Sequence, residues 1–292
     1  QMNRDFTYPQ TNRTANQITT LNMINTLTPA IAGDPATLPA IPDSQTWPNE
    51  PANSTLVTDW GFNALVGGGW SNNGGSATIV SDPTAPLSPP AAAQFPYPIG
   101  FAGGVGPDNI FYDLPAATAL YYGYWWKPSN PWQGHNSNVN KISFLVANAK
   151  GNLIHMMYGS GTGPFQLMMS LQFPSVSNAH LGNGFGDDPG TWQIFGNLNN
   201  CGVTLGTWHR VETVYQRSTT ESSRDGVLKW WIDGTLCGSY ANVNFPTAEF
   251  LQFQFAPTWG GVDDTKTEAD DFWFDHVHIS IPNPAGASGT LA

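Results

Sequence analysis

The chain has 292 residues and a formal net charge of −11, from 10 Lys and Arg against 21 Asp and Glu. This balance excludes nucleic acid as a partner, because a phosphate backbone needs a cluster of basic side chains and the sequence contains none. The same deficit disfavours a polyanionic glycan and favours a neutral one. No apolar run reaches the roughly 18 residues that a membrane-spanning helix needs, so no span is predicted.

Residues 1–55 are predicted to form an irregular arm that is rich in Thr, Asn, Pro and Ala, and its prolines interrupt any long element. Within the arm, residues 17–31 carry apolar side chains at every third position. This spacing is compatible with a short helix, or with a strand added to the sheet edge of a partner. We expect the arm to lie on its own domain or on a neighbouring copy. In the second case the protein would be a homo-oligomer, and a self-assembling extracellular structural subunit joined through its arm is therefore an alternative function.

Residues 56–282 are predicted to form one all-β domain, followed by a small polar tail at residues 283–292. Runs of β-branched and aromatic residues alternate with Gly, Pro, Asn and Asp, which is typical of half-buried antiparallel strands. The spacing of these runs predicts a two-sheet antiparallel sandwich. The predicted strands are 109–114, 120–127, 141–147, 153–158, 165–173, 206–216, 225–234, 249–261 and 271–281.

Several stretches of this domain resemble the family 14 polysaccharide lyases, which cleave acidic glycans on a concanavalin A-like jelly roll. The resemblance implies a jelly-roll fold and a glycan ligand, and it places Lys141 at the lysine of the family. The stretches are NKISFLV at 140–146, GTWHRVETVYQ at 206–216, DGVLKWWIDG at 225–234, APTWGG at 256–261 and DDFWFDHVHIS at 270–280.

A lyase, or a glycoside hydrolase, with a divergent site is one hypothesis. β-Elimination needs a positive group beside the substrate carboxylate and a base that removes the α-proton. Lys141 and His155 are the candidates for these roles, although a buried histidine in the core is the alternative for His155. The Ser-x-Arg pair of the family has no counterpart, because Gln166 and Met168 stand at its positions.

A second resemblance is to the family 16 glucanases, which share the fold. Their catalytic Glu-x-Asp-x-x-Glu spacing, which sets up retaining hydrolysis, does not occur in this chain. WFDHVHI at 273–279 resembles their closing strand, and this resemblance implies that Asp275 ligates a structural calcium ion. The alternative is an exposed strand carboxylate without a metal.

The leading hypothesis is a glycan-binding sheet face without catalysis, and an ordinary solvated face is the alternative. Strand alternation places amides and hydroxyls, which suit sugar hydroxyl groups, opposite core residues such as Phe144 and Leu251. A tryptophan beside them would stack on a pyranose ring. The predicted binding residues are Lys141, Ser143, Gln166, Ser170, Gln172, Gln252 and Gln254, with Trp126, Trp132 or Trp259 as the stacking ring.

Other features predict a secreted protein, extracellular or at the cell surface. Gln1 cannot be a translation start, so we expect a processed chain, and Asn12 and Asn53 begin glycosylation sequons. Cys201 and Cys237 are predicted to form a disulfide worth about 3 kcal/mol, with two unrelated buried thiols as the alternative.

Most remaining charged side chains are predicted to be structural. His276 and His278 lie on one side of the last strand, but the sequence offers no third metal ligand, so we expect them to pack. Arg210 and Glu212 are expected to form an ion pair. The acidic loop 263–271 could hold a cation, although a solvated loop is the default.

Overall fold

The computed structural model describes residues 46–147, 152–172, 192–196, 201–220, 222–245 and 250–283. The elements named among these residues are β-strands, and none of the described residues belongs to a helix with the length and apolar composition that a membrane crossing requires. The strands are β1 (Thr55–Trp60), β2 (Trp70–Asn72), β3 (Thr78–Ser81), β4 (Ala91–Tyr97), β5 (Ile110–Asp113), β6 (Ala119–Pro128), β7 (Val139–Ala147), β8 (Asn152–Tyr158), β9 (Phe165–Gln172), β10 (Trp192–Phe195), β11 (Gly202–Val203), β12 (His209–Gln216), β13 (Gly226–Ile232), β14 (Thr235–Val243), β15 (Phe250–Phe255) and β16 (Asp270–Ile281).

The strands pair into two 8-stranded antiparallel sheets, which confirms the predicted all-β jelly-roll sandwich. Sheet A has the order β14-β13-β12-β6-β16-β4-β3, and β1 pairs with the second half of β16. Sheet B has the order β10-β9-β8-β7-β15-β5-β2, and β11 pairs with the start of β9. The predicted run of three strands between 206 and 261 is therefore divided, because β12 and β13 belong to sheet A and β15 belongs to sheet B.

An aromatic core fills the space between the sheets. Tyr124 and Phe274 of sheet A meet Phe253 and Phe255 of sheet B, and all four side chains are fully buried. Burial of one such ring contributes about 2 kcal/mol of hydrophobic stabilisation. The core positions fix which side of each strand faces inward, and hence which side chains reach the two outer surfaces.

The β13–β14 hairpin shows why the sequence pattern missed a strand. Asp233 and Gly234 form a two-residue turn with φ angles of 51° and 82°, the signature of a type I′ hairpin. In β14, a Cβ atom at Gly238 would lie 1.9 Å from the ring of Trp230. Glycine is thus required inside this strand so that the Trp230 indole can be buried, although glycine ordinarily argues against a strand.

β-Bulges change the predicted faces of two strands. Register shifts occur between Lys141 and Ser143 in β7 and between Phe250 and Gln252 in β15. Each extra residue reverses the inward and outward alternation beyond it. Ser143 consequently points inward and is buried, whereas Leu251 is exposed, so the faces predicted for these two residues are wrong.

The segment before β1 lies on the outer surface of sheet A. The Trp47 indole is buried there, directly over Gly123, where a Cβ atom would lie 2.6 Å from the ring. Asn49 donates from its backbone nitrogen and its side chain to the Glu212 carboxylate, at 3.0 and 2.9 Å. Residues 46–54, which we assigned to the arm, therefore pack on the domain. The rest of the arm, including Asn12 and residues 17–31, lies outside the described residues.

A disulfide joins Cys201 to Cys237, as predicted, with the two Cα atoms 5.7 Å apart. Cys201 directly precedes β11 at one edge of sheet B, and Cys237 lies in β14 at one edge of sheet A. The bond therefore links the two sheets covalently along one side of the sandwich.

Candidate functional site

The side chains of sheet B that point away from the core form an outer surface, which we call face B. Alternate residues of the same strands belong to the core, which fixes the orientation of the remaining ones. Face B comprises Phe111, Asp113, Lys141, Phe144, Val146, Asn152, Ile154, Met156, Tyr158, Gln166, Met168, Ser170, Gln172, Gln252 and Gln254. Four of these side chains, Ile154, Met156, Met168 and Ser170, are buried, and the others reach solvent.

Amide side chains are held in a fixed row on face B. Gln254 Nε2 donates to Gln252 Oε1 at 2.7 Å, and Gln252 Nε2 donates to Asp113 Oδ1 at 2.7 Å. Farther along the face, Asn152 Nδ2 donates to Gln172 Oε1 at 3.2 Å. Gln172, Gln252 and Gln254 are half-buried, so the row combines restrained geometry with access to solvent. These are three of the amide positions that the sequence predicted.

Lys141 lies on the same face, half-buried among apolar and aromatic neighbours. It pairs in register with Met156, which pairs in turn with Met168 on the next strand. Tyr158, two residues beyond Met156, pairs with Gln166. Burial lowers the pKa of the Lys141 ammonium, because the charged form loses hydration. Lysine, phenol and amide groups therefore surround Met156 and Met168, which are themselves buried.

His155 lies on the opposite side of sheet B from Lys141, inside the sandwich. Its Nδ1 is 2.9 Å from Tyr124 Oη and 3.1 Å from Ser143 Oγ, and its Nε2 is 2.8 Å from Thr213 Oγ1. Burial lowers the pKa of His155 to about 3, so the ring is neutral. Lys141 and His155 therefore cannot act together on one sugar ring as the lyase hypothesis required, because the sheet separates them, and the expectation that His155 is a buried core histidine is confirmed.

The three tryptophans that we predicted as stacking platforms are buried as well. Trp126 lies in the core, and Trp132 stacks on Phe272 with ring centroids 4.1 Å apart. The Trp259 indole nitrogen donates to the Gln133 carbonyl at 2.9 Å. None of these rings presents a face to a ligand. On face B, the aromatic rings that reach solvent are instead the half-buried Phe111, Phe144 and Tyr158.

The acidic loop contains an internal ion pair. Asp270 accepts a hydrogen bond from the Lys266 ammonium, and both side chains are fully buried. The ammonium lies 3.9 Å from the centroid of the Trp132 ring and 4.8 Å from that of Trp259. Burial lowers the pKa of Lys266 to about 8, although the Asp270 carboxylate opposes this shift. Asp270 therefore serves the fold and is not available to a cation from solvent.

Asp275 does not fit the calcium site that the glucanase resemblance implies. Its carboxylate is buried and accepts the backbone N–H groups of Leu87, at 2.5 Å, and Ser88, at 3.0 Å. Burial raises the pKa of Asp275 to about 6. Calcium is bound by several oxygen ligands. The oxygens of Asp275 are instead occupied by backbone N–H donors, and burial disfavours the charged form of its carboxylate. Across the described residues, no group of three or more His, Cys, Asp and Glu is arranged to hold a metal ion.

His276 and His278 are engaged by carboxylates, as structural histidines should be. His276 bonds through Nε2 to Asp59, and His278 bonds to Asp59 through Nδ1 at 2.8 Å and to Glu50 through Nε2 at 3.1 Å. Although burial lowers it, the two carboxylates raise the pKa of His278 to about 9 overall. The predicted Arg210–Glu212 ion pair is confirmed, with Nε 2.9 Å from Oε2.

A chain of hydrogen bonds from Ser88 through His276 to Asp59 resembles a nucleophilic triad in its order of residues. Ser88 Oγ is 2.9 Å from His276 Nδ1. Exposure, however, increases from Ser88, at 8%, to the Asp59 side chain, at 35%. A nucleophilic serine needs the reverse order, with the hydroxyl open to substrate and the carboxylate shielded. These hydrogen bonds between Ser88, His276 and Asp59 therefore stabilise the fold and do not form a catalytic triad.

No protein-family model matches the chain, and no curated protein sequence matches it. Solved structures with a similar fold include an endo-β-1,4-glucuronan lyase from the fungus Trichoderma reesei, with a TM-score of 0.55 and 16% identity, covering 78% of this chain and 96% of that one. An alginate lyase from a Chlorella virus has a TM-score of 0.58 and 13% identity, covering 78% of this chain and 100% of that one. A family 14 alginate lyase from Aplysia kurodai has a TM-score of 0.50 and 12% identity, covering 78% and 90%.

At identities of 12% to 16%, this similarity establishes the jelly-roll fold alone. It agrees with the resemblance that the sequence motifs suggested. The ligand and any reaction must be argued from the side chains of this chain.

Proposed function

We propose that this protein binds a glycan on face B and that it works outside the cell. The observation that carries the proposal is the row formed by Gln254, Gln252 and Asp113, which lies on the same face as the Lys141–Tyr158 cluster. Hydroxyl groups of a sugar donate and accept at once, and primary amides provide both functions. A face on which the amides are already oriented loses less entropy when a ligand binds.

A neutral glycan fits face B best. Among the described side chains of face B, Lys141 and Asp113 carry the formal charges, and these two charges cancel within a protein of net charge −11. The half-buried rings of Phe144 and Tyr158 offer apolar surface to the C–H face of a pyranose.

The test is a binding measurement with soluble polysaccharides, comparing the wild type with the double variant Gln252→Ala, Gln254→Ala. Loss of two neutral hydrogen bonds, at about 1 kcal/mol each, should weaken binding roughly 10-fold to 30-fold. The matched control is Asn242→Ala, which removes an exposed amide from β14 of sheet A. Equal affinities for the wild type and the double variant would exclude face B as the binding surface.

A lyase is the second candidate, and the lowered pKa of Lys141 favours it. Burial lowers the pKa of Lys141, which makes its amine a better candidate base, and Tyr158 lies on the same face to supply a proton to the leaving oxygen. His155 has no part in this version. New ultraviolet-absorbing unsaturated ends that disappear in Lys141→Ala would establish the lyase. Binding without such products supports the glycan-binding proposal.

Self-assembly through the arm and calcium binding are separate proposals. Light scattering of the full chain, with calcium and with a chelator, measures both the oligomeric state and its dependence on the metal. Melting curves with and without calcium complete the test. A monomer whose mass and melting temperature do not change with calcium would contradict both proposals.

A further inference from the structure

The outer surface of sheet A carries tryptophans that the glycan hypothesis does not use. Trp125 of β6, Trp231 of β13, Trp273 of β16 and Trp208, directly before β12, are all half-buried. Indole rings are the largest apolar side chains, and several of them on one solvent-facing surface indicate an interaction site. We call these residues, with Lys127 and Arg210 between them, the tryptophan strip.

The strand register aligns the strip. Trp273 pairs with Lys127, and the Lys127 ammonium lies 4.7 Å from the centroid of Trp273 and 4.9 Å from that of Trp208. Two residues earlier on β6, and therefore on the same face, Trp125 pairs with Arg210, whose guanidinium carbon is 5.9 Å from the Trp125 ring. Two residues along a strand correspond to about 7 Å.

The strip crosses adjacent strands diagonally. Trp231 completes it, because it pairs with Glu212, two residues beyond Arg210. The strands β16, β6, β12 and β13 are neighbours in sheet A, so the strip spans roughly 14 Å across the sheet. That length accommodates a few linked sugar rings.

The positive charges of the strip are neutralised by two adjacent carboxylates. Lys127 pairs with Asp82, and Arg210 pairs with Glu212. The strip therefore attracts neither polyanions nor polycations, and the ligand that complements it carries no charge. It needs flat apolar surfaces for the indole rings and polar groups at its edges for the flanking ammonium, guanidinium and carboxylates. A chain of neutral sugars has both properties.

We propose that the tryptophan strip is a second carbohydrate-binding site, which takes a neutral oligosaccharide and acts independently of face B. The two faces lie on opposite sides of the sandwich. One chain could therefore bind two glycan strands, or two regions of one strand, and gain avidity.

The experiment titrates the full chain with neutral hexasaccharides of glucose, mannose and xylose, reading tryptophan fluorescence and calorimetric stoichiometry. We expect a fluorescence change with at least one sugar. The double variant Trp208→Ala, Trp273→Ala should weaken the binding that tryptophan fluorescence reports at least tenfold. Gln252→Ala, Gln254→Ala should keep the fluorescence change and lower only the calorimetric stoichiometry, by the site on face B. The matched control is Trp60→Ala, a half-buried tryptophan of β1 outside the strip.

Trp208→Phe and Trp273→Phe keep a smaller ring, and their melting curves show whether loss of binding reflects unfolding. Folded phenylalanine variants with intermediate affinity would support stacking. The inference is overturned if no neutral hexasaccharide binds, or if the alanine variant binds as the wild type does. Binding that is lost only in the glutamine variant would retain face B and remove the strip.

Discussion

Ser143 and His155 pair across β7 and β8, and both point into the sandwich, while Lys141, two residues before Ser143, points out. The β-bulge between Lys141 and Ser143 produces this division. A polar group that faces the core and a cation that faces solvent are therefore built into the same few residues. Because of the bulge, Ser143 serves the packing of the core, whereas Lys141 is available to a ligand on face B.

His155→Leu should destabilise the protein without altering glycan binding. The substitution leaves the Thr213 hydroxyl, which is fully buried, without its histidine partner, at a cost of about 2 kcal/mol. Chemical denaturation measures the loss, and affinity at a temperature where the variant stays folded measures binding. A variant of full stability but no affinity would return His155 to the binding site.

Stability should fall as the pH decreases from 6.5, the ordinary pKa of histidine, toward about 3, because of His155. The folded state lowers the pKa of this ring, so the unfolded state takes up a proton first and is favoured by acid. The stabilisation is complete above pH 6.5. His155→Leu should therefore flatten the part of the profile of unfolding free energy that falls between pH 6.5 and 4.5, a range in which Asp275, with a pKa raised to about 6, adds a dependence of opposite sign.

The clasp formed by Glu50, Asp59, His276 and His278 predicts the opposite trend on the alkaline side. The folded state raises the pKa of both histidines, to about 9 for His278, so their stabilisation is complete below pH 6.5. It is lost as the pH rises from 6.5 to about 9. Asp59→Asn should remove much of this alkaline decrease, whereas Asp113→Asn, on face B, should not. An unchanged alkaline limb in Asp59→Asn would contradict the assignment.

Substitution of Lys266 alone should lower the free energy of unfolding more than substitution of both Lys266 and Asp270. Lys266→Met leaves the Asp270 carboxylate buried without its cation, at a cost of about 3 to 5 kcal/mol. The double variant Lys266→Met, Asp270→Asn removes the uncompensated charge and should recover a part of that loss. Urea denaturation of these two variants and of Asp270→Asn alone tests the prediction, and additive losses would show that the two groups act separately.

The disulfide should contribute stability in proportion to the loop that it closes. Cys201 and Cys237 are separated by 36 positions, for which the chain-entropy relation gives about 4 kcal/mol. The double variant Cys201→Ala, Cys237→Ala should show this loss in denaturant. Reduction of the wild type is the companion measurement, and no change under either treatment would contradict the prediction.

The sandwich was predictable because its central strands keep strict alternation. β12 and β13 read as strands from β-branched and aromatic residues alone, and their bounding glycines and aspartates mark the turns. β4 was missed because Ala91, Ala92 and Ala93 have little strand preference and Pro96 argues against a strand. β14 was missed because Gly238 argues against a strand. This glycine is needed to make room for the Trp230 ring, and that contact exists only in the folded sheet.

The candidate site was only partly predictable, for a different reason. Alternation shows that adjacent residues such as Trp125 and Trp126 face opposite ways, but it does not show which of them the other sheet covers. Our prediction chose Trp126, which is buried. The half-buried tryptophans of sheet A could have been found by asking which aromatic neighbour of each core residue remains outside.

The disulfide at one side of the sandwich has a kinetic consequence. The sequence contains only 2 cysteines, so the opposite side, between the edges formed by β3 and β2, has no disulfide and is linked covalently only by the backbone of residues 73–77. Partial opening of the sandwich should begin on that side, because the disulfide between Cys201 and Cys237 holds the two sheets together on the other. Amide hydrogens of β2 and β3 should exchange with solvent before those of β14, and reduction should erase the difference.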